Sequence, residues 1–534
     1  MTSSLDVIVR GGWIIDGTGN PWFKSDVAVK GGRISKVGHL GSDMGELIID
    51  AEKMAVSPGF LDMHSHSDFM LWVNPTSDYK IRQGVTSEVI GNCGSSAAPL
   101  IGEAKEDAER SVNELPGGGP EKMPRWSTLS EYLNHLERQG TTVNVATYIG
   151  HSTVRKCVLG YENRKPTESE LNEMKGLVAQ GMVDGAFGIS TGLIYPPGCF
   201  ADTSELIELC KVVARYGGIY VSHIRNESDL LIEAVKEAIE IGRKSGLPVH
   251  ISHHKAAGRL NWRKVKETLW IIEELRREGS DVTCDVYPYT AGCSWSLSHM
   301  LPKWVSEGGT KKLVERLRDP EIRRRIREDI SEDKTVSPLV KHGEWESIMV
   351  ASVTSEENKR FEGRSVAEIS KARGIDPMDC LFDLMIQEED EITGIFFLME
   401  EDDVSTVIKH PVSMIGSDSV PPKKTGLVHP RNYGTFPRVI KRYVHEKGIL
   451  TLEEAVRKMA SYPAQRLGIR DRGLIREGMW ADMVIFDPKK ISDKATYEDP
   501  FQYPDGIEYV FVNGALTIKK GGYTGALAGK VLRR

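Results

Sequence analysis

The run Val56-Ser57-Pro58-Gly59-Phe60-Leu61-Asp62-Met63-His64-Ser65-His66-Ser67-Asp68 places two histidines, one residue apart, at the end of an apolar segment. Side chains alternate along extended backbone, so His64 and His66 offer two imidazoles to one point, an arrangement that binds a metal ion. Such a pair is weak evidence alone in a chain with 14 histidines. Further candidate ligands close other short apolar runs. Cys93 follows Thr86–Asn92, His223 follows Ile219–Ser222, His253 follows Val249–Ser252 and Asp418 follows Met414–Ser417. Imidazole, thiolate and carboxylate together form the usual zinc ligand set. A lone buried histidine or cysteine is more often structural; recurrence at one position on successive strands is what favours a metal.

Val-Ser-His-Ile-Arg at 221–225 and Ile-Ser-His-His-Lys at 251–255 are parallel in form, so His253 rather than His254 matches His223. Alternation puts Lys255 beside His253 and Arg225 beside His223, and turns His250 and His254 away, toward helices. Lys255 can then face an anionic substrate, whereas Arg225 is expected to bridge to a loop carboxylate, with Glu227 nearby. His151, in Ile149–Ser152, ends another run and is read as structural. A nucleophilic Cys93 would need a histidine as base and would leave the His64/His66 pair without purpose.

These residues need a scaffold that brings strand ends together. Between about 59 and 465, short runs such as 143–149, 219–223, 249–253, 282–286 and 412–416 alternate with helical segments such as 229–245 and 262–278. The alternation predicts an α/β fold, a (β/α)8 barrel with chemistry at the C-terminal ends of its strands. The charged stretch at about 300–350 is expected to be a helical insertion forming a solvated cap. Residues 1–58 and 466–534 are rich in short β-branched runs and Gly-containing turns, including Asn513-Gly514, and predict a small β-sandwich shared by both chain ends.

Composition narrows the classes. A net charge of −7 gives no basic footprint for nucleic acid or an anionic membrane. No apolar run approaches the roughly 20 residues of a membrane helix, and the first ten residues lack a signal-peptide pattern. Seven dispersed cysteines do not form a disulfide framework. The expectation is a cytoplasmic enzyme acting on a small molecule.

The chain resembles the amidohydrolase superfamily, and within it the N-acyl-D-amino-acid deacylases. The matching segments are Pro58–Asp68, Gly91–Gly94, Ser190–Gly198, Ser222–Glu227, Ser252–Gly258, Asp285–Gly292, Gly416–Ser419 and His429–Gly434. Cys93 is the most specific, because relatives elsewhere in the superfamily bridge their metals with a carboxylated lysine or a glutamate. The resemblance implies a tightly held Zn2+ on Cys93, His223 and His253. It also implies a second, weaker or partly occupied site on His64, His66 and Asp418, bridged by Cys93. Asp418 would serve as general base and then acid, and Tyr195, Lys255, Tyr287 and Arg431 would hold the substrate α-carboxylate. Cys293 stands where a serine is common. The implied reaction is hydrolysis of the acyl amide of N-acyl-D-amino acids. The alternatives are a cyclic-amide hydrolase of dihydroorotase or hydantoinase type, for which Cys93, Arg431 and Lys255 are the wrong equipment, and a non-catalytic scaffold, which would have lost the ligands.

Overall fold

The computed structural model describes residues 5–41, 44–76 and 78–534. Eight parallel staves ring the site: β1 (Phe60–Asp62), β2 (Val85–Ile90), β3 (Asn144–Thr147, continued by Ile149–Gly150), β4 (Gly188–Gly192), β5 (Ile219–His223), β6 (Val249–Ile251), β7 (Val282–Val286) and β8 (Ser413–Ile415). The staves from β1 to β3 pair in sequence, and the continuation of β3 carries the pairing on through β4, β5, β6 and β7 to β8. The ring closes where β8 returns to β1. There Ser65 bridges Ser419 in parallel and the Asp418 N–H donates to the His64 carbonyl at 2.8 Å. On the other side of β1, Gly59 admits close packing against β2, since a Cβ there would lie 2.1 Å from Thr86 Oγ1.

Inward-facing Leu61, Met63, Val89, Tyr148, Val221 and Met414 belong to one apolar cluster inside the ring, while residues of opposite parity, such as Ile90, Tyr220 and Ile251, pack against the helices. The helices are amphipathic in the matching sense. Leu231–Ser245 buries Leu231, Ala234, Val235, Ala238, Ile239 and Gly242, spaced by three and four, and stops at Gly246 with φ +78°.

Both chain ends enter one nine-stranded sheet. Ala55–Pro58 pairs antiparallel with Met483–Phe486 and joins the N-terminal strands to the C-terminal ones. Asn513 and Gly514, both at positive φ, turn the hairpin between Ile507–Val512 and Ala515–Lys519. The excursion between β7 and β8 is wider and less helical than the expected segment at 300–350. It adds to helices Gly309–Arg318 and Pro320–Glu332 an antiparallel sheet of Ala291–Ser294, Thr393–Phe397, Ile348–Ser352 and Arg364–Ser365, with an apolar core of its own. Charge along the helices hid that core, because only one face of each reaches it.

Candidate metal centre

The six candidate ligands converge at the C-terminal mouth of the barrel. Cys93 Sγ lies 3.3 Å from His64 Nε2 and 3.4 Å from His253 Nε2. Asp418 Oδ1 lies 3.4 Å from His64 Nε2 and 3.2 Å from His66 Nε2. The His223 ring packs against that of His253, with centroids 4.4 Å apart. Two groups, His64/Cys93/His253 and His64/His66/Asp418, each bring their ligand atoms within 4.8 Å of one another; a third joins His223 and His253 to Glu227.

The backbone at this mouth is unusual. Cys93, His253 and Asp418 have φ of +50°, +34° and +50°. Non-glycine residues held there cost roughly 1–3 kcal/mol each, and each is held by a buried carboxylate or a strand partner. Asp68 accepts the Gly91 N–H at 3.0 Å and so pins the Gly91–Gly94 turn. Asp285 accepts the His253 N–H at 2.9 Å. Asp62 accepts the Ser417 N–H at 2.8 Å, one residue before Asp418.

The donor set fits zinc. Both ring nitrogens of His223 are buried without a hydrogen-bond partner, as expected of a ligand rather than a packed core histidine. Burial opposes ionisation of the Cys93 thiol, yet His64 and His253 hold its pKa well below the usual thiol range. Burial likewise opposes the Asp418 carboxylate, and Arg431 with His64 keeps it ionised, well below the ordinary carboxylate range. Thiolate and carboxylate are the forms that coordinate a metal.

A cavity of about 360 Å³ opens over the cluster, with His66, Cys93, His223, His253 and Asp418 on its floor and Tyr195, Lys255 and Tyr287 on its walls. Lys255 Nζ lies 2.7 Å from both Glu227 Oε1 and His253 Nδ1. The Arg431 guanidinium is fully buried behind the wall, 4.7 Å from the Tyr287 ring and 2.9 Å from Asp418 Oδ2. Burial pushes the Tyr195 and Tyr287 phenols above their ordinary range, which keeps them neutral donors. Cys293 borders the cavity as well. Burial raises its thiol to about 12, and its carbonyl lies 3.5 Å from Arg431 Nη2, so the backbone rather than the thiol meets the guanidinium.

Other expectations shift. His250 faces into the barrel rather than toward helices: its Nε2 lies 2.8 Å from Asp285 Oδ2 and its Nδ1 2.8 Å from Thr283 Oγ1. The positive φ at His253 breaks the strict alternation, so His250 and His253 both reach the interior. His254 does pack outward, 2.8 Å from Thr268 Oγ1 on helix Lys264–Arg277. Arg225 bonds to Glu237 on helix Leu231–Ser245 instead of Glu227. His151 starts a helix and pairs with Glu205 at 2.8 Å, apart from the cluster.

Four carboxylates and a lysine support the site in ways the local sequence does not announce. Asp285 Oδ2 lies 3.4 Å from His64 Nδ1, fixing which imidazole nitrogen is free for a metal. Its place after Thr283 on β7 gives it inward parity, a signal open to the alternation rule. Glu227 Oε1 lies 3.0 Å from His253 Nδ1. Beneath the site, the fully buried Lys80 donates to Asp62 at 2.5 Å and to Ser417 Oγ at 3.0 Å, and lies 3.7 Å from Glu88. Nothing in the local pattern of Asp78–Ile81 marks Lys80 out.

The chain matches the model of the Amidohydrolase family over residues 47–518. It is 35% identical to a D-aminoacylase of Alcaligenes xylosoxydans xylosoxydans over 99% of this chain and 98% of that one. It is 34% identical to an N-acyl-D-glutamate deacylase of the same organism, over 100% of this chain and 98% of the other. The structure of an N-acyl-D-glutamate deacylase from Bordetella bronchiseptica, complexed with zinc and a phosphonate mimic of the tetrahedral intermediate, superposes with a TM-score of 0.84 at 33% identity and covers all of both chains. With that similarity running the full length, through the barrel and both chain ends, the chain belongs to the amidohydrolase family, in its N-acyl-D-amino-acid deacylase branch.

Proposed function

We propose that this chain is a zinc-dependent hydrolase of the acyl amide of N-acyl-D-amino acids, releasing a carboxylate and a free D-amino acid. One observation carries the reading: a buried thiol, four imidazoles and a carboxylate meet at the barrel mouth, under a small cavity that has Lys255 and two phenols on its wall and Arg431 buried behind it. Cys93, His223 and His253 would hold one zinc tightly, and His64, His66 and Asp418 a second, weaker one sharing Cys93. Such an ion, when bound, acidifies water and polarises the amide carbonyl.

The remaining work falls to side chains of this chain. Arg431 and Lys255 offer positive charge, and Tyr195 and Tyr287 neutral O–H donors, to the substrate α-carboxylate. Asp418, kept ionised by Arg431, accepts the proton of the attacking water and returns it to the departing nitrogen, without which an amine is a very poor leaving group. Asp285 and Glu227 hold the imidazoles of His64 and His253 in register. The enclosure and the seven free cysteines suit a reducing cytoplasm. Among the described residues, no helix is long and apolar enough to cross a membrane. A cyclic-amide substrate would leave Lys255 and Arg431 without a free α-carboxylate to bind.

The test is hydrolysis of paired N-acetyl D- and L-amino acids, with metal content measured on the same preparation. Turnover of D-substrates with about one zinc per chain is expected. Loss of both metal and turnover is expected in Cys93→Ala and His253→Ala. Full activity in metal-free protein would sink the proposal.

A further inference from the structure

Near-equal identity to a D-aminoacylase and to an N-acyl-D-glutamate deacylase does not decide whether the substrate side chain carries charge. The lining of the cavity bears on that question directly. Its only cations among the described residues are Lys156 and Lys255. Lys156 is taken up by Asp107 at 2.7 Å, and Lys255 by Glu227 at 2.7 Å. Arg431, behind the wall, lies against Asp418. On the reading above, Lys255 and Arg431 serve the α-carboxylate, which leaves Lys156, held on Asp107, as the one lining cation among the described residues for a second carboxylate.

A second cavity of about 270 Å³ adjoins the first, sharing His66, Tyr195 and Trp295 with it. It is no better suited to an anion. Its Arg110 and Lys156 share Asp107, its Lys423 lies 3.1 Å from Glu391, and with Asp68, Glu114, Glu389 and Asp390 the acids on its wall outnumber the cations. A carboxylate desolvated in either chamber would be unpaired or repelled, which is among the most costly burials a site can impose.

The rest of the wall is neutral: Ile194, Val336, Pro338, Phe396 and Leu398 are apolar, and Ser294 and Ser296 are uncharged polar groups. One group stands out. His299, on the short turn Ser298–Met300, is wedged between the rings of Tyr195 and Phe396, each 5.5 Å away by centroid. Its Nδ1 is shut off from solvent and the Ser296 backbone interacts with the ring, while Nε2 is neither enclosed nor bonded to any described residue. A ring nitrogen left open on a cavity wall can bond a ligand that supplies the partner. Burial, with His223 nearby, lowers its pKa to about 4, so the ring is neutral and offers one donor and one acceptor.

We infer that the chain selects N-acyl-D-amino acids with neutral side chains over the aspartate and glutamate derivatives, and that His299 is the specificity-determining residue that hydrogen-bonds an uncharged polar substrate group. The inference rests on the deacylase reading and narrows it.

The zinc-loaded enzyme would be assayed for kcat/KM on the N-acetyl derivatives of D-leucine, D-methionine, D-glutamine, D-asparagine, D-glutamate and D-aspartate. The neutral substrates are expected to exceed the acidic ones by at least about 100-fold, the scale set by an unpaired group in a site that cannot satisfy it. His299→Phe is expected to lower glutamine relative to leucine by about tenfold, since it keeps an aromatic ring and removes the hydrogen bond. His299→Lys is expected to raise glutamate relative to glutamine by at least about tenfold. Glutamate or aspartate hydrolysed within about tenfold of the neutral set would overturn the selectivity while leaving the deacylase reading intact. Unchanged ratios in both variants, with zinc retained, would remove His299 from it. Failure on every substrate with zinc bound would reject the deacylase reading, and the selectivity with it.

Discussion

Asp418 is the residue on which the proposed chemistry turns, and its surroundings show what a substitution should do. It sits at φ +50° between His64, His66 and Arg431, with its N–H bonded to the His64 carbonyl. Asparagine tolerates left-handed backbone and keeps the shape, but it cannot shuttle a proton. Asp418→Asn is therefore expected to retain zinc at the Cys93 site and to bind substrate, while kcat falls by about 10²–10⁴-fold, the usual worth of a general acid–base. A kcat within about threefold of the parent, with zinc content unchanged, would transfer the proton role elsewhere. If the residue were only a turn former, asparagine would serve nearly as well as aspartate.

At the scale of elements, the joint between β1 and β8 decides whether the two halves of the site meet. Asp62, at the end of β1, accepts from the His64 N–H, the Ser417 N–H, Ser417 Oγ and Lys80 Nζ. Lys80 thus clamps the turn bearing Asp418 to the strand bearing His64, from the short helix Asp78–Ile81. It is fully buried, so truncating it leaves Asp62 and Glu88 as uncompensated charges. Lys80→Met is expected to cost about 3–5 kcal/mol in urea unfolding, as breaking one partner of a buried pair does. Adding Asp62→Asn should recover part of that loss. A cost below about 1 kcal/mol would show that the clamp contributes nothing beyond a surface pair.

At the scale of the whole molecule, the excursion between β7 and β8 forms a second core and roofs the cavity with His299, Val336, Pro338 and Phe396. Its stability should depend on pH through Asp390. That carboxyl accepts the N–H groups of Leu297 and Ser298 at 3.0 and 3.2 Å, and burial raises its pKa to about 6. A folded pKa above the unfolded value of about 4 means the native state binds the extra proton in between. Stability should thus fall as pH rises from about 4 to about 6 and stay level above, a loss on the order of 1–3 kcal/mol. Asp390→Asn keeps the accepting oxygen and removes the charge. The variant should melt higher than the parent at pH 8 and no higher at pH 4. Equal melting temperatures at pH 8 would mean the native state relieves the buried charge by opening.

Residue types and local period carried much of the architecture. Alternating apolar runs and amphipathic helices encode a parallel barrel because a strand buried on both faces and a helix buried on one have different repeats. Candidate ligands were legible because they recur just past those runs, where a barrel exposes side chains to one point. Other features depend on contacts between distant segments, which no local window contains. The left-handed backbone of Cys93, His253 and Asp418 is held by Asp68, Asp285 and Asp62 from other segments of the chain. Because strict alternation fails at His253, His250 was assigned to the wrong face. Lys80 gains its meaning only from Asp62 and Ser417, the latter more than 300 residues away in the chain. The pairing of every cation near the cavity, which sets the charge a substrate can bring, exists only once the folded chain has placed Asp107, Glu227 and Glu391 beside them. Spacing determines which groups can reach the mouth of the barrel; tertiary packing determines which remain free once there.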